Sequence, residues 1–135
     1  IKEKVRKKKL SKQVIFLGRL SQKKIIDQLE KATVYIHHAI TAKNGDTEGV
    51  PNSIIEAMAM ELPILSTFHS GIPEAVENNV NGLLSKEGDT IEFYKNMEKI
   101  ITWKYVNQNR QKVREMFDFR NHVRHLENHY NKIIS

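Results

Sequence analysis

No cysteine occurs in the chain, so disulfides, thiolate metal sites and cysteine nucleophiles are excluded. That absence accords with a reducing cytoplasm, the expected location. No apolar run comes near the roughly 18 to 20 residues that crossing a bilayer requires. No secretory pattern opens the chain, which starts at Ile1 and at once turns strongly basic. Glycine-rich nucleotide fingerprints, phosphate-binding loops of the Walker type and the HExxH zinc signature are missing too. No repeat is found, and the basic start is the one tract of low complexity.

What is present is one domain's worth of sequence, 135 residues, with enough apolar content for a modest core. The net charge of +6 is concentrated at one end. Lys2, Lys4, Arg6, Lys7, Lys8 and Lys9 against Glu3 place +5 within the first ten residues, and the remainder is nearly neutral. No aromatic residue is interleaved with these charges, so a nucleic-acid platform is not expected. The run reads as a solvated end of a preceding helix or a linker, residues 1–10. Attraction to an anionic membrane surface, a peripheral contact with the inner membrane face, is the alternative.

Short β-branched or aromatic runs alternate with longer helical patterns, which argues for a parallel α/β sheet with flanking helices. Strands are expected at Val14–Leu17, Val34–His37, Ile64–Thr67 and Asn81–Leu84. Helices are expected at Ser21–Ala32, with Ser21 as cap, and from Pro51 to Met60. Thr41–Gly49 reads as a loop, and Gly71 and Pro73 mark a turn. From Asp89 onward the pattern is helical: Thr90–Trp103, Val106–Phe117 and Arg120–Ile134. Four strands joined by helices make half of a doubly wound domain. We therefore divide the chain into a partial Rossmann-like donor-binding domain, residues 11–103, and C-terminal helices, residues 104–135, and expect it to be a fragment.

Residues 45–56 read GDTEGVPNSIIE and carry most of the chemistry. Pro51 belongs in the first turn of a helix, where its missing N–H costs nothing. Asn52 and Ser53 add side-chain donors beside free backbone amides. A helix N-terminus at the carboxyl end of a parallel strand suits a diphosphate. Glu56 lies one turn further on, roughly 5 Å along the axis, about the separation of a diphosphate from its ribose. Glu48 precedes the helix, where the group at the other end of the diphosphate would sit. Carboxylates on both sides suit hydroxyls on both sides, as in a nucleoside-diphosphate sugar. The plainer reading is that acids near a helix start complement its dipole. Glu56 weakens that reading, because it stands among Ile54, Ile55, Ala57, Met58 and Ala59 and needs partners if buried.

EGVPNSIIEAMAMELPILST followed by HSGIPEAVENNVNGLL closely resembles the family 4 retaining glycosyltransferases of GT-B fold. Glu48 and Glu56 match that family's two glutamates separated by seven residues. VIFLG, ATVYI and the NGD before the glutamates match in order, over about residues 14–86. NGDTEGVP, AMAMELP and STFHSGIPE look most like bacterial exopolysaccharide transferases of the colanic-acid type. The resemblance implies the C-terminal, nucleotide-sugar-binding domain of the GT-B fold. Glu48 would bind the donor sugar beside the reacting carbon as the catalytic residue, and Glu56 would hold the ribose. Gly49, Val50, Pro51, Asn52 and Ser53 would meet sugar and diphosphate, and Gly18, Arg19 and Leu20 would lie by the base. His69, Ser70 and Gly71 form a candidate site turn. The implied donor is a nucleoside-diphosphate sugar and the acceptor a glycan or lipid-linked sugar. No cofactor and no metal are implied, since the family meets the diphosphate charge with amides and basic side chains. The implied enzyme needs a further, N-terminal domain.

Departures exist. The Gly-Arg and Lys that clamp the diphosphate in the family normally precede the strand matching VIFLG, so Arg19 and Lys24 imitate them from a different position. His38-Ala39 stands where Pro-Ser is frequent. Glu61 stands where glycine is frequent, a strained choice if φ there is positive. His37 and His38 adjoin the site as further candidates, and Glu74 suits either the turn or a ligand. His122, His125 and His129 fall near one helical face but flank an apolar stripe, so a solvated boundary explains them better than a metal. Ser66 and Ser70 lack the His and Asp partners of a hydrolase. A non-catalytic nucleotide-sugar-binding module, or an epimerase or phosphorylase of the same fold, are the competing readings.

Overall fold

Three strands run parallel in the computed structural model, which describes residues 1–42, 45, 49–103 and 108–134, without the side chains of His122, His125 and Ile134. Strand β1 is Tyr35–Ile36, β2 is Ile64–Thr67 and β3 is Gly82–Ser85, in the spatial order β1-β2-β3. Tyr35 pairs with Ile64, and Ile64 in turn with Gly82. The β1 ladder extends one residue either way through Tyr35 N–H to the Pro63 carbonyl (3.0 Å) and His37 N–H to that of Leu65 (2.9 Å). Every residue of β2 and β3 is buried, as expected of parallel strands covered on both faces.

Helices cover the two faces. On one, helix α2 (Gln22–Leu29), α3 (Asn52–Ala59) and α4 (Ile72–Ala75) gather Leu29, Ile54, Ala57, Met58, Ile72 and Ala75 around Ile64 and Leu84. In α3 the spacing of Ile54, Ala57 and Met58 turns one stripe inward. On the other face α5 (Thr90–Thr102) brings Ile100, Phe93 and Met97 against Leu65 and Leu83. Asp89 caps α5 by accepting from Ile91 N–H (3.1 Å) and Glu92 N–H (2.8 Å). Helices α6 (Asn109–Phe117) and α7 (Phe119–Ile134) follow, and Asn109 ties α6 to the end of α3 through the Leu62 carbonyl at 2.8 Å. The basic start forms a short exposed helix, α1 (Lys2–Lys7). Among the described residues no helix is long and apolar enough to cross a membrane.

Two tight places fix the β3 end. A Cβ on Gly82 would lie 2.5 Å from both the Ile64 carbonyl oxygen and Val76 Cγ1, so only glycine fits there. Beside it, buried Asn81 accepts from Glu77 N–H (2.6 Å) and donates to the Ala75 carbonyl (3.1 Å). Helix α3 ends in a Schellman arrangement: Leu62 N–H reaches the Ala57 carbonyl and Glu61 N–H that of Met58. Glu61 accordingly adopts φ +64, the left-handed geometry that glycine would supply without strain.

Several expectations need correction. Val14–Leu17 is no strand; Ile15 is 78% exposed, and Phe16 and Leu17 are exposed beside it. A strand exists only by pairing, and no described strand runs alongside these residues. The described sheet thus has three strands, not four. Ser21 occupies the N-cap position of α2, but its hydroxyl makes no capping bond, and the helix stops at Leu29. Pro51 stands one position before α3 with ψ 131, its carbonyl accepting the first helical bond from Ile54. The turn at Gly71 and Pro73 winds into α4, and Val106 lies outside the described residues.

Candidate functional site

The carboxyl ends of β1 and β2 open onto a cleft of about 340 Å³ lined by His37, His38, Ala39, Ile40, Ala42, Pro51 and His69. Its walls are held from below by β2 hydroxyls. Ser66 Oγ donates to the His37 carbonyl (2.6 Å), and Thr67 Oγ1 donates to that of Ala39 (2.6 Å) while accepting Ala39 N–H (3.2 Å). Ser66 is therefore structural, consistent with its lack of hydrolase partners. A second cleft of about 410 Å³, lined by Glu77, Asn81, Gln108, Lys112 and others, sits by the turn that enters β3. In parallel sheets ligands bind beyond the carboxyl ends of the strands, which favours the first.

The HSG turn closes one side of that cleft. His69 is buried, Ser70 adopts φ +45 and is exposed, and Gly71 packs directly on the backbone before α3. A Cβ on Gly71 would lie 3.1 Å from Val50 N and 3.2 Å from the Gly49 carbonyl carbon. The residues expected from the sequence at the turn and at the helix start are thereby brought together. Pro51 faces the cleft, Asn52 is exposed, and Val50 and Ser53 are half-buried. No side chain caps α3, so its first-turn amides carry no side-chain acceptor of that kind.

Glu56 is half-buried and accepts Gln22 Nε2 at 3.2 Å. That contact draws the start of α2 to Glu56, and with it the adjoining segment Gly18, Arg19 and Leu20, in which Gly18 has φ +67. Neither Glu56 nor this segment lines the cleft itself. Glu48 lies outside the described residues, as do the side chains of His122 and His125. His129 is exposed on α7, and Glu74 is exposed in α4. No group of three or more metal-binding side chains is found among the described residues.

The sequence reading missed Glu87. From the loop after β3, its Oε1 meets His69 Nδ1 at 2.7 Å, and its Oε2 accepts Thr41 N–H at 2.8 Å. The Thr41 hydroxyl lies 3.0 and 3.2 Å from the same carboxylate. The Thr41 amide first, then His69, hold the Glu87 carboxyl below its ordinary value of 4.5. Its place just past the carboxyl end of a parallel strand was the available signal.

Residues 1–116 match the family model described as "Glycosyl transferases group 1". The chain belongs to this family. Proteins similar to it include an amylovoran biosynthesis glycosyltransferase of Erwinia amylovora, 45% identical over 76 residues, which cover 56% of this chain and 19% of the relative. A putative colanic acid biosynthesis glycosyltransferase of Escherichia coli (strain K12) is 46% identical over 61 residues, 45% of this chain and 15% of the relative. The counterpart from Salmonella typhimurium is 48% identical over 61 residues, with the same coverage. The chain thus spans less than a fifth of the length of the curated relatives it matches. The Rossmann-like α/β reading and the group 1 glycosyl transferase family agree with one another.

Proposed function

We propose that this chain is the donor-binding part of a retaining glycosyltransferase of family 4, which moves a sugar from a nucleoside-diphosphate sugar to a polysaccharide or lipid-linked acceptor. The observation that carries the reading is the packing of Gly71 on the Gly49–Val50 backbone. It puts the HSG turn and the α3 start on one cleft at the carboxyl ends of parallel strands. In this reading the backbone amides of Gly49, Val50 and Asn52, with Pro51 beside them and Ser53, meet the diphosphate and sugar. Glu56 holds the ribose, Gly18 to Leu20 flank the base, and Glu48 binds the sugar at the reacting carbon. The acceptor oxygen bonds to the anomeric carbon on the face the diphosphate leaves, and the departing phosphate takes the hydroxyl proton. A second domain supplies the acceptor site, no metal takes part, and the chain alone turns nothing over. The enzyme works in the cytoplasm, with the basic α1 available to the inner membrane face.

Calorimetric titration with UDP-, GDP- and ADP-sugars tests this. One nucleotide binds weakly, without turnover, and Glu56→Gln weakens it about tenfold, the loss of a charge-assisted hydrogen bond. Binding of none of them by the folded chain overturns the proposal, and unchanged affinity in Glu56→Gln refutes the ribose assignment.

A further inference from the structure

Among the described residues lining the cleft there is neither lysine nor arginine; its titratable side chains are His37, His38 and His69. They differ in what they touch. His37 stacks with Tyr35 at 6.4 Å between ring centroids, and His38 stands edge-on to Phe93 at 5.1 Å. His69, 6% exposed, meets a carboxylate at 2.7 Å. That carboxylate is Glu87, which also grips Thr41.

An ionised carboxylate only accepts hydrogen bonds, so His69 Nδ1 is the nitrogen that carries hydrogen toward Glu87. His69 lines the cleft, and Nε2 is the ring nitrogen that Glu87 leaves unused. With no proton it is an acceptor and repels a phosphate oxygen; with one it becomes a charge-assisted donor to it. Histidine is the side chain that makes this change near neutrality. Glu87 stabilises the resulting imidazolium, as its low-lying carboxyl stays ionised throughout the relevant range. Glu87 meets the ring and is itself held by Thr41, while His37 and His38 from the segment after β1, and Pro51 before α3, line the same cleft.

We propose that the cleft binds the donor's diphosphate together with a proton, taken up from solvent at His69 Nε2, with Glu87 as the positioning residue. The same carboxylate holds Thr41, so phosphate binding and the position of Thr41 share one anchor. This inference rests on the nucleotide-sugar reading above.

Isothermal titration of the chain with UDP and with inorganic pyrophosphate, in two buffers of different ionisation enthalpy at pH 7, counts the protons exchanged. The wild-type chain takes up more protons per ligand than His69→Gln, because in the complex Nε2 must carry hydrogen to donate to a phosphate oxygen. Glu87→Gln falls between the two. His69→Gln weakens binding about tenfold or more at pH 6, and by less at pH 8, as expected for loss of a charge-assisted bond. Should His69→Gln not fold, imidazole nitrogen NMR of the wild-type chain gives the same answer, Nε2 of His69 moving to its protonated position on adding pyrophosphate. Equal proton counts in folded wild type and His69→Gln, or an unmoved Nε2 resonance in the complex, overturn the inference while leaving the diphosphate site intact. Failure of both ligands to bind sinks the inference and the nucleotide-sugar reading together.

Discussion

Replacing Gly71 with alanine separates a packing role from a site-shaping one. The backbone there has φ −75 and ψ −5, which alanine accepts, so any effect comes from the added methyl. That methyl would stand 3.1 Å from Val50 N, 3.2 Å from the Gly49 carbonyl carbon and 3.3 Å from Val50 Cγ2. Carbon contacts are most favourable at about 3.5 to 4.0 Å, so the turn and the helix start must part by roughly 0.3 to 0.5 Å. Overpacking of this kind costs about 1 to 3 kcal/mol. Alanine recovers about 0.4 to 1 kcal/mol by restricting the unfolded chain. The net loss is about 1 kcal/mol, a fall of roughly 3 to 5 °C in Tm for a domain of this length. Binding suffers more than its share, because the displaced atoms are those proposed to meet the ligand. Weakening one hydrogen bond to the ligand by about 1 to 1.4 kcal/mol lowers nucleotide affinity about five- to tenfold. Thermal unfolding and calorimetry on the same preparation read both quantities. Unchanged affinity in a folded Gly71→Ala chain refutes the argument that this contact shapes the site.

Gly82→Ala meets a carbonyl oxygen at 2.5 Å instead, and at least about 3 kcal/mol of destabilisation, or no folded protein, is expected by urea unfolding. Glu61→Gly should stabilise by about 0.5 to 1 kcal/mol, seen as a higher urea midpoint with unchanged slope. It relieves the positive φ and gives up an exposed ion pair with Arg110 at 3.8 Å that is worth little. Because Glu87 has its carboxyl held below 4.5 in the folded chain, its contribution to stability is present above that pH. It is lost as pH falls through the lowered folded value; Glu87→Gln therefore flattens that part of an acid-unfolding profile, and an identical profile refutes the assignment.

What could be read from the sequence was whatever is written locally. Ile64–Thr67 is a continuous apolar and β-branched run, and it appears as β2 without a residue's shift. Glycine's frequency at position 61 in the resembling family raised the question of a positive φ there, and Glu61 has φ +64 after a helix that ends at Met60. Gly49–Ser53 and His69–Gly71, sixteen or more residues apart, were linked only through the family resemblance, and the fold packs Gly71 against the Gly49–Val50 backbone. Val14–Leu17 failed because its four side chains have strand character but pairing is a property of the neighbour. Glu87 was passed over because KEGD resembles any polar turn, and only the assembled sheet brings it to His69 and Thr41. Ser21 has the cap's position and backbone angles without its bond, a distinction that side-chain rotation alone decides.

The turn into β3 bears on how the protein ages. An asparagine followed by glycine, as Asn81-Gly82 is, is prone to deamidation, since glycine lets its backbone nitrogen swing onto the side-chain amide carbon. Here both ends of that amide are already engaged, with Glu77 and Ala75, and Gly82 is locked beneath Ile64. Loss of ammonia must wait for this corner to open, so the appearance of aspartate at position 81 in stored protein is a slow clock of local unfolding.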